Sequence, residues 1–212
     1  MITPLTRLFG STLLTLAALA ALPTFSRAAD PHEYVLSNGM KVLLVEVPKA
    51  PVATVQVWYK VGSRNEVMGR AGLSHMLEHM MFKGTTRYPK GVFSRLIRKN
   101  GGVDNAFTSQ DFTAYFENLA ADRVELALDM EADRMQGLLL DNAEFQTERE
   151  VVKEERRMRN EDDPQGALVE ALFAQAFQSH PYHWPIIGWF ADLDAMSLDD
   201  LQRHYDTYYS PN

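Results

Sequence analysis

His75-Met76-Leu77-Glu78-His79 puts two histidines four residues apart with a glutamate between them, a pattern suited to holding a metal ion. On a helix, positions four apart share one face, roughly 6 Å apart at Cβ, so both imidazoles can reach one ion. Zinc accepts neutral imidazole, and a catalytic zinc keeps one position open for water beside three protein ligands. Glu78, three residues after His75 and next to His79, can reach that water without binding the metal itself. That is where a general base must stand. A pattern this short arises by chance in on the order of 1% of chains of this length, so the site needs a third ligand. Cysteine is absent, which excludes thiolate ligands, disulfides and a cysteine nucleophile. The third ligand must therefore be His, Asp or Glu.

The acidic helix around Glu148-Arg149-Glu150-Val151-Val152-Lys153-Glu154-Glu155 is the obvious source. Phe145, Val152 and Met158 mark its inward face, and Glu148 and Glu155 lie on or beside that face, two turns apart. A run of Glu, Lys and Arg is more often a solvated helix face, and Glu150, Lys153, Glu154, Arg156 and Arg157 fit that description. Spacing alone does not choose the ligand. His32, His180, His183 and His204 read as structural, and Trp184, Trp189 and Phe190 as packing residues.

The elements that must position these groups follow from patterning. Arg7, then an apolar run from Leu8 to Leu22, then Ser26-Arg27-Ala28, has the form of a signal peptide covering residues 1–28. Export to the periplasm or medium is expected, with no membrane association once the leader is cut. Removing Arg7 and Arg27 leaves 19 Lys and Arg against 28 Asp and Glu, a net charge of −9. That balance argues against nucleic acid or anionic membrane as a partner. Ser37-Asn38-Gly39 between apolar runs predicts a hairpin, and Val52 to Val61 alternates like a half-buried strand, suggesting a three-stranded antiparallel meander. The motif helix begins near Gly72. A second helix runs from Pro89 to Asn100-Gly101-Gly102, and a strand pair spans Val103 to Leu119. Helices follow over about 121–139, 143–159, 164–177 and 197–205, the last opened by a capping box of Ser197 and Asp200. Strands first and helices afterwards predict an α+β fold, an antiparallel sheet packed against helices, in residues 29–212.

The inverted motif His75 to His79, followed by Glu148-Arg149 and then Glu155, resembles the insulinase and pitrilysin family of zinc peptidases. The hairpin at Ser37-Asn38-Gly39, Gly62-Ser63, Asn105-Ala106-Phe107-Thr108-Ser109 with Thr113 and Tyr115, and His180-Pro181-Tyr182 with Gly188 belong to the same likeness. The resemblance implies one Zn2+ per chain held by His75, His79 and Glu155, with Glu78 as the base and Glu148 as an acidic partner supporting the site. It also implies a peptide substrate that adds as a strand along Asn105, Ala106 and Phe107. Members of the family are built from two similar halves closing on a chamber. The resemblance thus leads us to expect a further strand after Asn212 and a second half, in the same chain or a related subunit, supplying an Arg and Tyr pair.

Overall fold

The computed structural model describes residues 30–211, so the expected signal peptide lies outside the described residues. These residues divide into two compact units, one of 30–36 with 41–47, the other of 37–40 with 48–211.

In the first unit β1 (His32–Val35) pairs antiparallel with β2 (Lys41–Leu44), His32 opposite Leu44 and Val35 opposite Lys41. The turn joining them is the predicted one, and the Asn38 side-chain oxygen accepts the Met40 amide at 3.2 Å.

The expected meander does not form. In the second unit β3 (Val52–Tyr59) pairs along its whole length with β5 (Thr113–Ala120), and β4 (Val103–Thr108) pairs on the other side of β5. The order β3-β5-β4 is antiparallel throughout and leaves β4 at an edge among the described residues. Two prolines between β2 and β3, Pro48 and Pro51, have no amide hydrogen to continue a ladder. By contrast, β5 offers eight residues with the same alternation as β3. Val55 and Tyr59 of β3 and Tyr115 and Leu119 of β5 are buried on one face, as the alternation predicts.

Seven α-helices are described: α1 (Leu73–Met80), α2 (Val92–Lys99), α3 (Val124–Gly137), α4 (Asn142–Arg156), α5 (Pro164–Ala176), α6 (Phe190–Ala195) and α7 (Leu198–Tyr208). All but the short α6 answer to predicted helices, and the Ser197–Asp200 capping box opens α7. The fold is α+β. Among the described residues no helix is long and apolar enough to cross a membrane.

Eight residues are too few for a helix to persist alone. Packing supplies the difference: Leu73, Met76, Leu77 and Met80 of α1 are all buried in the main core, with Tyr59, Phe145, Val152, Leu201 and Tyr209. Each such side chain contributes about 1.5–3 kcal/mol on burial. A second cluster gathers Val55, Phe93, Ile97, Leu119, Ala127 and Met130.

Two expectations for α4 are corrected. Met158, assigned to the inward face, is 59% exposed, and Arg156, assigned to the solvated face, is buried. A π-helical turn, Arg157–Glu161, follows Arg156. Its wider turn rotates Met158 out of line with Phe145 and Val152. Arg156 is clamped in the interior instead, donating to both oxygens of Glu170 at 2.8 Å and to the Gly188 carbonyl at 2.9 Å.

Candidate metal centre

The centre is built on α1, whose start is held by backbone contact. Gly72 (φ +93°) and Gly188 (φ +87°) pass so closely that a Cβ on Gly72 would lie 2.6 Å from the Ile187 carbonyl oxygen. A Cβ on Gly188 would lie 2.4 Å from the Ala71 carbonyl oxygen. Only glycine satisfies both the left-handed conformation and the close approach. The buried Glu66 then accepts the amides of Gly72 and Ser74, each at 2.7 Å, so a side-chain carboxyl from outside the helix caps its first turn. Burial, resisted by those hydrogen bonds, pushes Glu66 up to about 8. The side chain of the same Ser74 places its Oγ 3.1 Å from His204 Nε2, tying α1 to α7. His204 is buried at this contact.

With α1 fixed, His75 and His79 project towards α4 and stand 4.7 Å apart at their ring centres. Glu155 Oε2 lies 3.3 Å from His79 Nε2 and 3.9 Å from His75 Nε2. Ligand atoms of these three residues all fall within 4.8 Å of one another. A tetrahedral zinc with bonds of about 2.0–2.1 Å separates its ligands by roughly 3.3 Å, so the donor set fits such an ion. The protonation of the pair fits a cation too. Burial, with His79 beside it, lowers His75 to about 4 and leaves its imidazole neutral. Burial also disfavours charge on His79, but hydrogen bonds to Glu148 and Glu155 outweigh it and raise His79 to about 9. A proton there sits between two carboxylates, where positive charge is favoured.

Glu148 completes this end of the site. Its Oε1 accepts from His79 Nδ1 at 2.9 Å, and Lys83 donates to its other oxygen. Burial works against the charge, yet His79 and Lys83 together hold Glu148 at about 2. The bond from His79 Nδ1–H to Glu148 turns Nε2 towards Glu155, where it can bind a metal once it gives up its proton. Glu155 itself is lowered by its hydrogen bond to His79 and paired through Oε1 with Arg159 at 2.9 Å.

Glu78, on the same helix, faces the end of β4. Its Oε2 accepts from Thr108 Oγ1 at 2.5 Å, and burial raises its pKa despite that bond. Glu78, His75, His79, Glu148 and Glu155 open onto one cavity of about 740 Å³. Asn105, Ala106 and Phe107 line it from β4, the edge strand among the described residues, where the Ala106 amide donates to Asn105 Oδ1 at 2.9 Å. Phe173, Trp184 and Ile186 give it an apolar wall. All eight residues singled out in the sequence therefore meet at a single cavity. The contacts that sequence reasoning missed are Glu66, Lys83, Thr108 and Arg159. Two of them carried a signal in their spacing of four, Lys83 from His79 and Arg159 from Glu155.

Comparison with known proteins places this geometry. The pattern of the family described as Insulinase (Peptidase family M16) matches residues 41–188. A protein named zinc protease PqqE from Helicobacter pylori is 41% identical over 207 residues, covering 97% of this chain and 47% of that protein. A protein named uncharacterized zinc protease YmxG from Bacillus subtilis is 32% identical over 84% of this chain and 44% of its own length. The crystal structure of a protease from Helicobacter pylori superposes with a TM-score of 0.85 at 41% identity, covering 87% of this chain and 44% of that one. Pitrilysin superposes with a TM-score of 0.75 at 27% identity, over 89% of this chain and 20% of its own. The chain thus spans about half the length of the curated relatives it matches. Match length, identity and the inverted motif on α1 agree: the chain belongs to the insulinase family of peptidases, M16.

Proposed function

We propose that this chain carries the catalytic centre of a zinc-dependent endopeptidase acting on peptides or unfolded segments, exported by the leader read at residues 1–28. The observation that carries the reading is the convergence of His75, His79 and Glu155 within 4.8 Å, with Glu78 beside them on α1 and an open strand edge along the same cavity. One zinc ion, held by those three side chains, would supply Lewis acidity for the scissile carbonyl and lower the pKa of water. Glu78 takes the proton from the attacking water and returns it to the leaving amine. Glu148 keeps the His79 ring in the orientation that presents Nε2. Asn105, Ala106 and Phe107 bind the substrate backbone as an added strand.

The test uses the purified chain. One zinc per chain by plasma mass spectrometry and cleavage of an unstructured peptide are expected. In Glu78→Gln, zinc should remain while cleavage falls by about 10²–10⁴-fold. Cleavage that survives this substitution would sink the mechanism. A second reading keeps the metal-ligating residues without turnover: a non-catalytic zinc-binding or peptide-binding subunit that needs a partner half. It predicts bound zinc and bound peptide without cleavage until a second half, expressed separately, is added.

A further inference from the structure

The geometry points to Thr108 as the positioning residue for the base, the group that fixes which oxygen of Glu78 is free to take a proton. The inference rests on the reading of Glu78 as that base. Thr108 is the last residue of β4, directly after Asn105-Ala106-Phe107, and its hydroxyl donates to Glu78 Oε2 at 2.5 Å. Threonine has one hydroxyl proton to give. Its ladder partner Thr113 does not compete for the same acceptor. The Thr113 hydroxyl donates to the Val61 carbonyl at 2.9 Å and stands 3.5 Å from Thr108 Oγ1. The Thr108 proton is therefore committed to Glu78 Oε2, and Oε1 is the oxygen without that bond.

The arrangement links two tasks through four consecutive residues. The edge offered to a peptide and the hydroxyl that aims the base belong to the same rigid strand. A peptide seated on β4 is consequently registered against Glu78 by the backbone of β4 itself. Such placement matters because a displacement of about 1 Å can reduce a rate by about 100-fold.

Thr108→Val removes the hydroxyl while keeping shape and strand propensity, and Thr108→Ser restores the hydroxyl alone. In the zinc-loaded protein, Thr108→Val should retain zinc content and KM within about 2-fold and lose kcat by about 10- to 100-fold. Thr108→Ser should recover most of kcat. Crystal structures of both variants give a readout that needs no turnover: Glu78 should leave its place in Thr108→Val and keep it in Thr108→Ser. An unmoved Glu78 in Thr108→Val, or equal losses of kcat in the two variants, overturns the assignment. If the parent chain binds zinc but cuts no peptide, catalysis by this chain alone fails as a reading, and the crystallographic comparison still decides the role of Thr108.

Discussion

Glu148 touches the candidate metal centre only through a histidine, yet it governs which nitrogen of His79 is available. Loss of such a partner usually weakens metal binding by about 10- to 100-fold. Glu148→Gln is accordingly expected to lower zinc affinity by that factor, and Glu155→Gln, which removes a donor, by more. Competition with a calibrated chelator checks both the sizes and the order, and equal affinities in the two variants would refute it. The histidines and Glu78 were legible in the sequence because helical spacing alone puts them on one face. Glu155 was legible only through the family likeness, since its neighbours look like any solvated charge run. Glu66 and Thr108 were hidden for a different reason. Each acts across a tertiary contact, on residues 8 and 30 positions away, which local spacing does not encode.

The element that most constrains the site is the start of α1, where two backbones cross at Gly72 and Gly188. Gly72→Ala and Gly188→Ala each place a methyl group against a carbonyl and force a non-glycine residue to positive φ. Each should destabilise the fold by at least about 2 kcal/mol. Urea unfolding measures this directly, whereas Gly69→Ala, which shares the positive φ but meets no neighbour within 4 Å, separates conformational strain from collision. Elements themselves were largely readable: turn residues located the hairpin, and caps and periodicity located six of the seven helices. Strand partners were not. Alternation in β3 says which face is buried, but a strand with both edges open carries no local mark of its neighbour. The π-helical turn after Arg156 was equally invisible, because a single extra residue per turn shifts a face without altering composition.

At the scale of the whole molecule, the two core clusters meet around a buried charge. Arg134 donates to Glu131 at 2.8 Å and to Glu117 at 3.4 Å, with its guanidinium about 4.3 Å from the ring centre of Phe93 and 4.4 Å from that of Tyr115. Burial, together with Glu131, pushes Glu117 up to about 10, so this carboxyl is neutral at pH 7. The two partners should therefore respond unequally. Arg134→Met leaves Glu131 buried without its ionic partner and is expected to cost about 3–5 kcal/mol. Glu117→Gln replaces one neutral group by another and should cost less than about 1 kcal/mol at pH 7. Denaturant midpoints of the two variants decide it, and comparable losses would mean that Glu117 is charged in the folded protein. The edge of β4 has a different reach. If a substrate adds to it as proposed, the outward-facing groups of its six residues can be completed only by a chain whose own amides and carbonyls are not already committed elsewhere. A folded client has spent those groups on its own ladders and helices. Vulnerability to this edge would then track how often a client opens rather than what side chains it carries, and the cavity would sort its clients by their stability.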